Sequence, residues 1–286
     1  MSTISFEFFP PKNIEASFRL ADTVSSLAPY DPTFVSVTYG AGGTTRALTH
    51  DAVAAISSNY GLNVAAHLTC VDATKGETLE IAKSYAKSGV TEIVALRGDP
   101  PKGAANFAPR ADGFASSVEL IEALSLSGQF TIRVGAYPEK HPEAADMTAN
   151  IEWLKRKFEA GADSAITQFF FEADTFFRFR DACVDAGITG EIVPGILPIE
   201  NWKGASSFAR RCGTSVPLEL AEAFEKAERD DRSELLALAQ CTELCTELLE
   251  GGVEHLHFYT LNKPTLTRDV LHALGHAPRP AVAAVA

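Results

Sequence analysis

Glu92-Ile93-Val94-Ala95-Leu96-Arg97-Gly98-Asp99-Pro100-Pro101 decides the fold. Ile93–Leu96 is apolar without alternation, as expected for a strand buried on both faces of a parallel sheet. It stops at a polar cluster, Arg97-Gly98-Asp99, and helical periodicity resumes over Ser116–Ser127. The same order recurs along the chain. Glu7, Thr38-Tyr39-Gly40, His67-Leu68-Thr69, Tyr137-Pro138-Glu139, Thr167-Gln168, Pro198 and Thr260-Leu261-Asn262 end the other strand-like runs. Polar residues at one end of successive buried strands are what a β/α barrel requires, since that fold keeps its chemistry at the C-terminal rim.

Outward from that stretch, the spacing predicts strands over Ile4–Phe9, Phe34–Thr38, Asn63–Leu68, Glu92–Leu96, Thr131–Ala136, Ser164–Thr167, Glu191–Gly195 and His255–Phe258. Helices fall over Ala16–Leu27, Thr45–Tyr60, Lys75–Ser88, Ser116–Ser127, Ala144–Ala160, Asp174–Ala186 and Trp202–Arg211, with extra helices over Leu218–Arg229 and Ser233–Glu250 and a closing one over Thr265–Leu274. Gly89, Gly161, Gly187 and Gly251 each stand just past a last turn. Eight strand–helix units imply an α/β (β/α)8 TIM barrel over residues 1–276, a single domain with extra helices near its C-terminus. The Pro- and Ala-rich tail, 277–286, has no polar anchor and is expected to fray. A doubly wound sheet would need a glycine-rich dinucleotide turn, and Gly40-Ala41-Gly42-Gly43-Thr44-Thr45 matches that poorly.

The chain has 286 residues and a net charge of -12, which argues against nucleic acid as a partner. An anionic cofactor needs only a local cationic patch. Five scattered cysteines without a CxxC suit reduced thiols, and Cys241 and Cys245 read as packing or surface residues. No apolar run reaches the roughly 18 residues of a membrane span. The N-terminus lacks a basic leader, so a cytoplasmic protein is expected.

Several residues stand out chemically. Glu7 interrupts an aromatic strand, Ile4-Ser5-Phe6-Glu7-Phe8-Phe9. It is either a general acid facing a wet site or a barrel-floor carboxylate paired with a cation. Asp99 can stabilise a developing cation or pair locally with Arg97, and Gly98 lets backbone approach a ligand. Gln168, beside Phe169-Phe170-Phe171, suits a donor/acceptor heterocycle such as a pterin or caps a strand. Arg156 and Lys157 read as a solvated helix face or an anion site. His255 and His257 form an HxH that no further ligand set completes, so no metal is expected. Hydrolase and Walker motifs are missing.

With these residues in view, the chain resembles bacterial methylenetetrahydrofolate reductases. The matching segments are Phe6–Pro11, Val35–Gly40, His67–Cys70, Ala95–Asp99, Ala136–Glu139, Ile166–Phe170, Pro194–Pro198 and His257–Asn262. The resemblance implies an FAD-bearing barrel that reduces 5,10-methylenetetrahydrofolate to 5-methyltetrahydrofolate with NAD(P)H, NADH favoured, by ping-pong hydride transfer. It also implies a homo-oligomer and no counterpart of the animal enzymes' regulatory domain. Glu7 becomes the general acid and Asp99 the charge that favours a cationic intermediate. Gln168, Phe208 and Lys263 become substrate contacts. Thr38, His67, Leu96, Arg97, Gly98, Asp99, Phe114, Tyr137, His141, Asn150, Trp153, Arg156 and Lys157 fall on flavin-binding positions. Phe114, Trp153, Gly204 and Lys263 depart from residues found in some relatives. Direct hydride transfer from NADH without flavin, or binding of folate or flavin without turnover, are the competing expectations.

Overall fold

A computed structural model describes residues 2–39, 46–99 and 108–279 of the chain. The candidate dinucleotide turn at 40–45 and the Pro100-Pro101 pair lie outside the described residues. All strands run parallel: β1 (Thr3–Phe8), β2 (Phe34–Val37), β3 (Val64–Thr69), β4 (Glu92–Leu96), β5 (Thr131–Ala136), β6 (Ser164–Thr167), β7 (Glu191–Val193), β8 (Gly195–Ile196) and β9 (His255–Tyr259). β1 lies between β2 and β9, while β7 pairs with β6 and β8 with β9. The predicted strand Glu191–Gly195 is thus split at Pro194, which has no N–H to give the ladder. Its carbonyl still accepts from His257 N at 3.1 Å. The two short pieces therefore act as one stave and bring an eight-stave barrel to closure.

The helices are α1 (Ile14–Leu27), α2 (Arg46–Tyr60), α3 (Lys75–Lys87), α4 (Ser117–Ser127), α5 (Met147–Glu159), α6 (Ala173–Asp185), α7 (Trp202–Cys212), α8 (Leu218–Arg229), α9 (Ser233–Glu250) and α10 (Pro264–Ala273). Among these, α5 starts later than its periodicity predicts. The Asp146 side chain accepts from Ala149 N and caps the helix there, leaving 137–146 as a rim loop. Gly89, Gly161 and Gly187 take positive φ as expected, but after α9 that conformation belongs to Gly252 and not to Gly251. Cys241 and Cys245 are both buried, so they pack and do not face solvent. At the tail, Arg279 pairs with Asp31, an anchor its composition did not suggest. No helix among the described residues is long and apolar enough to cross a membrane.

Strand periodicity sends Ile4, Phe6, Phe8, Val35 and Val37 outward against the helices. Inside the barrel, Phe34, Ala65, Val94, Ile166 and Val193 make an apolar plug. Below the plug, at the strands' N-terminal ends, Arg133 Nε donates to Glu92 Oε2 at 2.6 Å, and its guanidinium lies 3.8 Å from the Phe34 ring centroid. Glu92 and Arg133 thus fill the role of a paired floor carboxylate, the alternative weighed for Glu7. Glu7 sits at the other end.

Candidate active site

The loops after β3, β4 and β5, with the inner face of α5, enclose a cavity of about 570 Å³. Leu96, Arg97, Gly98, Asp99, Tyr137, His141, Asn150, Trp153 and Lys157, all singled out from the sequence, line it. Gly98 takes φ +85, and a Cβ there would stand 2.6 Å from Val71 Cγ2 and 2.9 Å from Thr69 Cβ. Its glycine is required by that turn and by packing on the β3 side of the cavity.

Charge is unevenly shared around the cavity. Arg97 makes a two-pronged ion pair with Glu143, its Nη2 donating to Oε1 at 2.8 Å. That pairing, and not one with Asp99, is what chiefly raises the Arg97 pKa, and it holds the Glu143 carboxyl below its usual range. Lys157 is buried, and its Nζ donates to Gly135 O at 2.6 Å. Burial first, and Arg97 second, push its pKa down to about 8. No carboxylate among the described residues pairs with it. Burial, reinforced by Asp99, carries the Tyr137 phenol to about 12. Burial is also the main cause lowering half-buried His141, whose ring lies edge-on to Tyr137 with centroids 4.6 Å apart. Asn150 clamps this loop: its Nδ2 donates to Tyr137 O at 2.8 Å and its Oδ1 accepts from His141 N at 3.0 Å.

Four expected cofactor residues do not line the cavity. Thr38 directly follows β2, and its carbonyl accepts from Thr49 Oγ1 at 3.0 Å. Phe114 is buried, with the Lys75 ammonium 5.4 Å from its centroid. Arg156 is exposed and stacks 4.7 Å from the ring of Trp153, which does line the cavity. His67, inward on β3, instead faces Glu7: their Nε2 and Oε2 lie 3.3 Å apart, off the line of a hydrogen bond.

Glu7 itself lies near the C-terminal end of β1 with 16% of its side chain exposed, in register with Ser36 and Tyr259. Gln168 directly follows β6 and is half-buried, and its backbone N–H donates to Ala136 O at 2.8 Å. Half-buried Phe208 on α7 packs on Phe169 at 5.1 Å. Lys263 is exposed at the start of α10, and Gly204 is exposed on α7. Two residues were not singled out for a role. Glu143 follows His141-Pro142 in the rim loop, and only its charge beside the Tyr137–His141 segment signals it. Tyr259 shares the inward phase of His257, and its hydroxyl donates to Thr167 O at 2.6 Å across the barrel mouth. That period-two spacing was readable.

Residues 1–275 match the methylenetetrahydrofolate reductase family model. The 5,10-methylenetetrahydrofolate reductase of Escherichia coli is 42% identical over 276 residues, covering 96% of this chain and 91% of that protein. Methylenetetrahydrofolate reductase (NADH) 1 of Arabidopsis thaliana is 34% identical, covering 96% of this chain and 48% of that protein. Among solved structures, an uncharacterized Clostridium thermocellum protein that binds two copies of 5-methyl-5,6,7,8-tetrahydrofolic acid superposes with a TM-score of 0.60 at 17% identity, covering 95% and 93% of the two chains, and so shares the fold. The span and level of these matches establish that the chain belongs to the methylenetetrahydrofolate reductase family of oxidoreductases.

Proposed function

We propose that this chain reduces 5,10-methylenetetrahydrofolate to 5-methyltetrahydrofolate, drawing electrons from NADH through FAD. One observation carries the reading: a carboxylate, Glu7, shares one barrel rim with a cavity whose walls hold Arg97, Asp99 and Lys157. The name of the plant relative supports NADH as donor.

The cavity fits an anionic cofactor. Its volume lies within the roughly 300–1,000 Å³ usual for such sites. Among the described residues Lys157 is a buried cation bonded to a carbonyl and to no carboxylate, a costly arrangement that an anion would relieve. Lys157, Arg97 and His141 would hold the phosphates of FAD, with Arg156 next to Trp153 at the mouth. FAD, when bound, supplies a two-electron carrier that takes hydride from a nicotinamide and passes it on.

The remaining roles belong to side chains of this chain. Glu7 protonates the folate nitrogen that leaves as the five-membered ring opens, which exposes an electrophilic iminium at the methylene carbon. The negative charge of Asp99 favours that cation. Gln168 reads the pterin edge, Phe208 stacks on the ligand and Lys263 lies at the substrate's outer end. Glu7→Gln tests the assignment. Its folate reduction should fall by about 10²–10⁴-fold, the usual worth of a general acid. NADH oxidation with an artificial acceptor should persist. Normal folate turnover in this variant would refute the role of Glu7.

A further inference from the structure

Helix α7 follows β8, yet the residues just past its last turn meet the loop after β5, so the helix runs along the barrel mouth past the end of β6. Asn201 caps its start, the side-chain Oδ1 accepting from Gly204 N at 2.8 Å. Midway, Phe208 packs on Phe169 with centroids 5.1 Å apart. Gly213 ends the helix with φ +75, and buried Thr214 then donates from Oγ1 to Phe169 O at 3.1 Å. The next residue links the two loops. Ser215 N lies 3.1 Å from each carboxylate oxygen of Glu139 and donates to both.

The two sides of that link are held unequally. The loop carrying Glu139 is fixed from its own side of the mouth. Asn150 on α5 bonds Tyr137 O and His141 N, Lys140 Nζ donates to Ala144 O at 2.7 Å, and Glu143 N donates to His141 Nδ1 at 3.0 Å. Lys140 takes φ +91, a conformation that a lysine rarely adopts and that the surrounding structure must enforce. The turn there sends Glu139 to the end of α7 while His141 lines the cavity. The end of α7 is tied by the Thr214 hydroxyl and by Glu139, both outside the strand ladder. A rigid loop therefore holds a less firmly anchored helix.

We propose that Glu139 is a positioning residue for folate: by pinning the C-terminal end of α7 to the loop after β5, it keeps Phe208 in place at the barrel mouth. The proposal rests on Phe208 being a folate contact. Without the pin, α7 samples other positions, and folate binds only the fraction of molecules in which Phe208 is in place. Apparent affinity falls by that fraction. Bound folate itself draws the helix back, so the saturated complex reacts as before and the loss lies in KM rather than kcat. Asn150 and Lys140 keep the cavity wall where it is, so flavin is held as in the wild type.

Steady-state folate kinetics and flavin titration of the same variants test this. Glu139→Ala should raise the folate KM about tenfold, the worth of a lost hydrogen bond to a charged group. Its kcat and flavin affinity should stay close to wild type. Glu139→Gln keeps an oxygen that can accept from Ser215 N and should recover most of the KM. An unchanged folate KM in Glu139→Ala, or equal losses in kcat and flavin affinity, would overturn the proposal. Phe208→Ala identifies a failure of the functional reading instead: a wild-type folate KM there would mean that Phe208 does not contact folate, and the proposal would fall with that assignment.

Discussion

Lys157 Nζ donates to the carbonyl of Gly135 at 2.6 Å, tying α5 back to the strand that precedes it. The ammonium is buried among cavity-lining groups, and burial has pushed its pKa down to about 8. In the unfolded chain this lysine keeps its proton up to the ordinary value of 10.5. Between those values the unfolded state binds more protons, so stability rises with pH across that window and the buried charge is a full burden below it. Lys157→Met should therefore stabilise the cofactor-free protein at pH 7 by about 2 kcal/mol, after the lost hydrogen bond, and by less at high pH. Flavin affinity should fall by about tenfold or more, as for loss of a close opposite charge. Urea midpoints at two pH values and flavin titration read both. A destabilised variant with unchanged flavin affinity would contradict the site.

Glu143 competes with any anion for Arg97. Both side chains are partly exposed, so the pair adds little stability, about 1 kcal/mol at most. Glu143→Gln should leave the melting temperature nearly unchanged and tighten flavin binding several-fold. Weaker binding would mean that Glu143 orients Arg97 for its ligand and does not block it.

Barrel closure depends on Gly195. A Cβ there would stand 2.2 Å from Thr167 O and 2.5 Å from the Tyr259 ring. Gly195→Ala should cost about 2–3 kcal/mol through overpacking, measured by chemical denaturation. A loss below about 0.5 kcal/mol, the range of neutral surface changes, would show that the stave can shift.

Tyr259→Phe removes one hydrogen bond at the same seam, and about 1 kcal/mol should go with it. Tyr259 also neighbours Glu7 in register, so folate reduction should fall more than NADH oxidation in this variant. Equal losses in both half-reactions would assign Tyr259 to the scaffold alone.

Most of the barrel was legible in the sequence because each strand is a short apolar run closed by a polar cluster, and that cluster is the rim. Thr131–Ala136 and Ser164–Thr167 fall where periodicity puts them. The split at Pro194 escaped, since ladder pairing to two neighbours is decided by register and not by local composition. Asp146 was overlooked as a cap because apolar spacing continues on its N-terminal side. The cavity wall was readable as a set of strand ends, whereas the Arg97–Glu143 pair joins positions 46 apart and has no local signature.

The absorbance spectrum of the purified protein, before and after anaerobic NADH and then methylenetetrahydrofolate, reads flavin-borne folate reduction at its source. A flavin band near ~450 nm, present as purified or on adding FAD, should be bleached by NADH and restored by the folate. A protein that reduces folate with no such band, or a band that the folate fails to restore, would contradict it.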